Sequence, residues 1–271
     1  MGASLGLAIK KKGLARQIVG IGHHEESLKE AQKAGAIDEG TVDFNKGIMG
    51  ADLIVLATPV NTILDYIEIL GKEQRRGCII TDLGSTKNMI VDRAEKVLHH
   101  SLLFVGSHPL VGSEKKGPGA ANAQLYEGAV CIMTPTDKTN RLAKEKIKQF
   151  WSQLGSSVKF MLPSEHDQAL AHISHLPHLI AFALMKSMPD NLLEHATQGL
   201  KDSTRIAGSD PQVWKDIVLS NPKPVLKALD EAVKVLAAIR KAIVARDQEV
   251  LVDIFKQAKA KREGLDKGHA G

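Results

Sequence analysis

The chain has 271 residues, of which 43% are hydrophobic and 25% charged, a balance typical of folded globular proteins and far from that of a disordered chain. No apolar run approaches the roughly 20 residues that cross a bilayer, and the start lacks a basic stretch ahead of an apolar signal core, so a cytoplasmic protein without a membrane partner is expected. The formal net charge of +5 comes from Lys and Arg scattered among acids, which argues against a nucleic-acid partner and suits small anionic ligands.

The first residues, Met1-Gly2-Ala3-Ser4-Leu5-Gly6-Leu7-Ala8-Ile9, look like the helix that follows a glycine-rich dinucleotide turn, with Gly2 in the place of the last glycine of GxGxxG. The strand and the two glycines that normally come first are missing. A central strand of a doubly wound sheet cannot be lost without leaving backbone groups unpaired, so Met1 is read as an internal methionine and the chain as a form lacking that strand.

Five short apolar runs follow: Ile18–Ile21, Leu53–Leu56, Cys78–Thr81, Leu102–Val105 and Ala129–Met133. Amphipathic helical stretches separate them, the pattern of parallel strands joined by helical crossovers. Apolar strands of this kind are expected to be buried on both faces. Cys78 and Cys131 fall inside two of them without metal-type spacing and are expected as buried free thiols.

The predicted fold class is therefore α/β, a doubly wound, Rossmann-type, mainly parallel sheet over residues 1–163. An all-helical dimerisation domain is expected over 164–271, because the strand signal stops at Pro163. Within it Leu226, Leu229, Val233, Leu236 and Ile243 recur at helical spacing, a stripe that suits burial against a second copy of the chain.

In such a sheet ligands lie beyond the carboxyl ends of the strands. After Ile21 stands Gly22-His23-His24-Glu25, with neither an acid directly at the strand end for the ribose of NAD nor an Arg for the extra phosphate of NADP; His23 is either a cofactor neighbour or a plain loop residue. Thr58 and Pro59 form a turn that starts a helix and can lie against a cofactor. Asp82-Leu83-Gly84-Ser85-Thr86-Lys87 ends the next strand the same way. Gly2, His23, Thr58, Pro59, Asp82 and Gly84 are the candidate cofactor residues.

The decisive segment is Gly106-Ser107-His108-Pro109-Leu110-Val111-Gly112-Ser113, which sets a histidine on a loop just past a strand end. Taken with Asp82–Lys87, with His175-Leu176-Pro177-His178 and with Thr204-Arg205-Ile206-Ala207-Gly208-Ser209-Asp210-Pro211-Gln212-Val213-Trp214, it resembles the prephenate dehydrogenase family, in that family's motif order. The resemblance implies NAD as cofactor, NADP not being excluded, and a dicarboxylate substrate, prephenate, oxidatively decarboxylated to 4-hydroxyphenylpyruvate on the way to tyrosine. It implies that His108 and Ser85 are catalytic, meeting the ring hydroxyl, and that Arg205 grips a carboxylate with its planar donor fork. His178, Ser113 and His175 would line the same pocket, and a homodimer is expected.

An arogenate or broad-specificity cyclohexadienyl dehydrogenase yielding tyrosine is the alternative substrate reading. From other classes, an inactive truncated dinucleotide-fold protein or a reductase of small imino acids competes. His166, His172, His175 and His178 crowd together, but there is no HExxH pair and Pro177 is expected to interrupt the geometry, so no metal is expected.

Overall fold

The computed structural model describes residues 1–72, 77–99, 102–112 and 117–267. Among these residues eight strands alternate with helices in the first part of the chain: α1 (Gly2–Lys12), β1 (Val19–Ile21), α2 (Glu25–Lys33), β2 (Glu39–Thr41), α3 (Phe44–Ile48), β3 (Leu53–Leu56), α4 (Val60–Gly71), β4 (Ile79–Asp82), α5 (Asn88–Val97), β5 (Leu103–Val105), β6 (Ser107–Pro109), β7 (Val130–Met133), α6 (Arg141–Gln153) and β8 (Ser157–Phe160). Helices follow: α7 (Pro163–Leu170), α8 (Leu176–Ser187), α9 (Gln198–Thr204), α10 (Pro211–Ser220), α11 (Pro222–Ala245) and α12 (Gln248–Lys267). None of the described helices is long and apolar enough to cross a membrane.

The described strands form three sheets. β3, β4 and β5 are parallel neighbours, β1 pairs with β2 in parallel, and β7 pairs with β8 in parallel and with β6 antiparallel. The parallel sheet is covered on both faces, as the period-two alternation along β4 shows. Ile79 packs into a cluster with Leu5, Ala8 and Ile9 of α1 and Ile147 and Trp151 of α6. Its neighbour Ile80 points the other way, into a cluster with Ile63, Ile67 and Leu70 of α4 and Ile90 and Ala94 of α5. Those spacings of three and four place one apolar stripe on each helix, and each buried Leu or Ile contributes about 1.5–3 kcal/mol.

Three sequence expectations change. β1 is not buried on both faces: Val19 is 38% exposed, because among the described strands β1 pairs only with β2 and one of its edges has no neighbouring strand to cover it. His108 lies within strand β6, not on a loop, opposite Ile132 of β7; the chain stays extended through Gly106 and turns antiparallel. Pro177 does not interrupt the helix. The backbone widens over Ala171–His175 into a π-type turn that runs directly into α8, accommodating a residue that cannot donate a backbone hydrogen bond.

By its internal packing the chain divides into Met1–Pro222 and Lys223–Gly271. The sequence boundary at Pro163, where β8 has ended, lies inside the first of these units, since α7 packs on α5 and α10 on α4. Asn61 of α4 donates to Asp216 of α10 at 2.9 Å. In the second unit the stripe residues Leu226, Val233, Leu236 and Ile243 are all exposed in the single chain.

Glycine is obligatory at one helix contact. A Cβ on Gly6 of α1 would stand 2.1 Å from the backbone oxygen of Ala36, so α1 can approach the end of α2 only without a side chain there. Gly6→Ala should therefore lower stability by about 1–3 kcal/mol or more through forced backbone displacement. Gly264→Ala in α12, where a Cβ meets nothing within 4 Å, should raise stability by about 0.4–1 kcal/mol. Thermal unfolding of both variants checks this; a Gly6→Ala protein as stable as its parent would contradict the packing described.

Candidate active site

The carboxyl end of β4 delivers Asp82, which is fully buried. A buried carboxylate needs partners on both oxygens, and Asp82 has them. Oδ1 accepts the Ser107 amide at 3.1 Å, while Oδ2 accepts the Gly84 amide at 2.8 Å and a short charged hydrogen bond from Lys87 Nζ. The Lys87 ammonium, equally buried, also donates to the Ser107 carbonyl at 2.9 Å. Thr81 donates to the Val105 carbonyl at 2.7 Å and shares a hydrogen bond with the Ser107 hydroxyl at 2.9 Å. The turn after β4 and the start of β6 are thereby locked together, and the next residue along β6 is His108.

His108 is 8% exposed. Burial, reinforced by the nearby His166, Lys87 and His175, holds its imidazole pKa well below the ordinary histidine value, so the ring is neutral. Its Nδ1 lies 2.8 Å from Nε2 of His166, whose own Nδ1 lies 2.8 Å from Asp167 Oδ1. The Asp167 carboxylate sits over the start of α5, accepting the Lys87 amide at 2.7 Å on Oδ1 and the Asn88 amide at 2.9 Å on Oδ2. Those donors are among the first amides of a helix, which have no partner within it. His166 is also held below the ordinary value by burial, partly offset by Asp167.

Beyond this pair the polar chain continues. Asn221 donates to the Asp167 carbonyl at 2.7 Å and lies 3.4 Å from His175 Nδ1. The π-type turn carries His175 inward, where burial lowers its pKa to about 4, and leaves its Nε2 buried without a hydrogen-bond partner. Trp214 of α10 meets His175 edge-on and stacks on His178 with ring centroids 3.6 Å apart. His178 donates from Nδ1 to the Ser174 carbonyl at 3.0 Å. Its pKa is lowered by burial and by the positive charge of Arg205. Arg205 is exposed and opens a short 3₁₀ turn, Arg205–Gly208, after α9.

The structure thus joins His108, His175 and His178 in one continuous chain of contacts, with Arg205 near enough to His178 for its charge to act on that ring. Ser85 is half-buried on the turn that wraps the Asp82–Lys87 pair; Ser113 lies outside the described residues. Of the candidate cofactor residues, Gly2 begins α1 and abuts the end of β3, where its Cβ would lie 3.2 Å from that of Ala57. Thr58 and Pro59 come next, and the Thr58 hydroxyl is buried with no partner. His23 is exposed in the loop after β1.

Asp82 and Gly84 have a different task from the one expected. Both are buried and committed to the ion pair, and a Cβ on Gly84 would stand 2.8 Å from Asp82 Oδ2. Sequence reasoning missed the structural parts played by Lys87, Asp167, Asn221 and Trp214, and took His166 only as one of a crowd of histidines. His166-Asp167 at a helix start was the available signal. Of that crowd His172 is exposed, and the described residues contain no metal-holding group of three.

Comparison with known proteins identifies the family. Residues 5–160 match the family model for the nucleotide-binding domain of prephenate dehydrogenase, and residues 162–257 match its dimerisation domain. The chain is 38% identical to the prephenate dehydrogenase of Bacillus subtilis (strain 168) over 272 residues, covering 98% of this chain and 73% of that protein. It is 31% identical to the cyclohexadienyl dehydrogenase of Zymomonas mobilis, over 86% of this chain and 81% of that one. A crystal structure of prephenate dehydrogenase from A. aeolicus in complex with hydroxyphenyl propionate and NAD+ superposes with a TM-score of 0.90 at 36% identity, covering 98% of this chain and 94% of the other. The chain belongs to the prephenate dehydrogenase family.

Proposed function

We propose that the site oxidatively decarboxylates prephenate to 4-hydroxyphenylpyruvate with NAD as hydride acceptor. The observation that carries this reading is a buried neutral imidazole, His108, in continuous contact through His166, Asp167, Asn221, His175 and Trp214 with a stacked His178, whose ring feels the charge of Arg205. An uncharged acceptor and a fixed cation are what a hydroxylated dicarboxylate calls for.

Gly2, Thr58 and Pro59 are the residues assigned to the cofactor, with His23 at the margin. The fit rests on the orphaned Thr58 hydroxyl and on the amides at the start of α1, whose Met1 N-cap makes no side-chain bond to them; a helix start of this kind favours phosphate. Bound NAD would supply the acceptor for hydride. The A. aeolicus relative, described with NAD+ and hydroxyphenyl propionate, supports both assignments.

The protein's own part is to orient and to stabilise charge. Arg205 grips one carboxylate as a planar fork, with His178 and His175 beside it. As hydride leaves the hydroxyl-bearing carbon, positive charge grows on that hydroxyl; His108 accepts its hydrogen bond and relieves the charge. The ring carboxylate departs as carbon dioxide and its bonding pair enters the ring, which becomes aromatic with the hydroxyl kept as a phenol. Ser85 shares the hydroxyl contact. Helices α7–α10 carry the substrate-binding side chains, residues 1–163 the nucleotide, and a second copy of the chain covers the apolar stripe of α11 in a homodimer. The two free buried thiols suit a cytoplasmic setting.

A second reading, arogenate oxidised to tyrosine, is favoured by the likeness to the Zymomonas cyclohexadienyl dehydrogenase. Turnover of the two substrates, followed as nicotinamide reduction, separates them: prephenate should be preferred, and a higher kcat/KM with arogenate would replace the first reading by the second. His108→Asn should lower kcat by about 10²–10⁴-fold. Arg205→Lys should raise KM by about 10- to 100-fold by losing charged hydrogen bonds of about 1.5–3 kcal/mol; the opposite assignment of the two effects would undo the roles given.

The pH profile carries a sign. The active form of His108 is neutral and its pKa is depressed, so activity persists as pH falls below the value of about 6.5 for a free imidazole and is lost only as pH falls through the depressed value. An acid inflection in kcat/KM at or above that free value would contradict the burial of His108 as the active base.

A further inference from the structure

His166 and Asp167 are outside the residues assigned above to substrate or cofactor, yet both are almost wholly buried and aligned on His108. We infer that they fix the tautomer of His108, leaving its Nε2 as the bare acceptor that meets the substrate hydroxyl. The inference rests on the reading of His108 as the hydroxyl's partner, and it assigns His166 and Asp167 as positioning residues.

The argument runs by donor and acceptor. The Asp167 carboxylate offers only acceptors, and backbone amides of Lys87 and Asn88 already hold both oxygens in place. Nδ1 of His166, 2.8 Å from Oδ1, must therefore carry the proton in that bond. A neutral imidazole has one N–H, so Nε2 of His166 is bare. Facing it at 2.8 Å is Nδ1 of His108, which must then be the donor. His108 is neutral too, and its single proton is now spent on Nδ1; Nε2 is left as an acceptor. The charged Asp82 and Lys87 from the β4 turn and the neutral His175 from the π-type turn sit beside it without making a competing bond to either ring.

The backbone supplies the fixed point. Asp167 is held by two amides at the start of α5 and by Asn221 on its own carbonyl, so the order of protons is dictated from the helix outward. The same turn holds Lys87, whose side chain anchors β6 beneath His108. One helix start thus sets both where the His108 ring stands and which nitrogen it presents.

Two variants of His166 separate this role from simple packing. In His166→Gln the side-chain oxygen can still accept from His108 Nδ1, whereas His166→Phe fills the space and offers no acceptor. With prephenate and NAD, His166→Phe should lose about 10²–10⁴-fold in kcat, the range of a misplaced or wrongly protonated acid-base group, with KM within a few-fold of the parent. His166→Gln should restore kcat to within about tenfold. Nitrogen-15 NMR of histidine-labelled protein reads the tautomer directly. His108 of the parent should show a protonated Nδ1 and a bare Nε2, and His166→Phe should show the proton redistributed towards Nε2. A parent spectrum with His108 protonated on Nε2 overturns the inference, as does a His166→Phe enzyme of undiminished kcat. Because the parent spectrum needs no turnover, it still decides the tautomer if prephenate proves not to be the substrate or a variant fails to fold.

Discussion

The buried ion pair between Asp82 and Lys87 is the constraint on which the site depends. An ammonium in a protein interior is tolerated only where its charge is answered and its protons are spent, and removing one partner of such a pair typically costs about 3–5 kcal/mol. Lys87 meets both conditions by joining the carboxylate at the end of β4 to the carbonyl of Ser107. The backbone of Ser107 answers with its amide on Asp82. A short antiparallel strand that would otherwise hang from a single glycine is thereby clamped at its first residue, and His108 is the second. What fixes the histidine is thus a charge network, with the β6–β7 ladder as its second support.

The same residue shows how local and distant structure share one helix start. The side chain of Lys87 reaches back to β4 and β6, while its amide points to Asp167 on α7. Two layers of the first compact unit, the parallel sheet and the helices that follow it, are joined through one turn. This gives a physical reason why α7 packs on α5 and α10 on α4. Asp167 of α7 accepts amides at the start of α5, while Asp216 and Ser220 of α10 meet Asn61 of α4 and Thr86 of the turn after β4.

Much of this was legible in the sequence, and the parts that were not have identifiable causes. The apolar runs at Leu53, Cys78 and Leu102 mark β3, β4 and β5 because each is packed on both faces, and the run at Ala129 marks β7 because Cys131 and Met133 enter the core. β2, with Glu39-Gly40-Thr41, and β8, partly exposed, carry no such signal. β6 was hidden by its Ser-His-Pro sequence, which reads as a loop; tertiary hydrogen bonds, not propensity, make it a strand. The candidates His108, His178 and Arg205 stood out because histidine and arginine in glycine- and proline-rich segments are chemically conspicuous. Asp82 stood out equally but for the wrong reason, since a carboxylate at a strand end can serve a ligand or a lysine, and only the fold brings Lys87 back upon it. His166 and Asp167 were visible as residues yet silent as a pair, because their partners lie 58 positions earlier in the chain, at His108, and 80 positions earlier, at Lys87.

The charge distribution along the site follows from what it has to discriminate. A dianionic substrate binds wherever cations are offered, so a charged imidazole at His108 would hold the ground state as firmly as the transition state and gain nothing in rate. Burial removes that option: His108, His166 and His175 are all kept neutral, and in the proposed reaction the substrate's carboxylates would find their cation at the exposed Arg205. Attraction and reaction are thereby assigned to different groups. On the proposed assignment Arg205 would act on charge that is present throughout, and His108 on charge that appears at the hydroxyl only as hydride departs. A neutral acceptor whose surroundings are already arranged needs no reorganisation at that moment, which is why burying so many polar side chains at this point of the fold is worth its cost in stability.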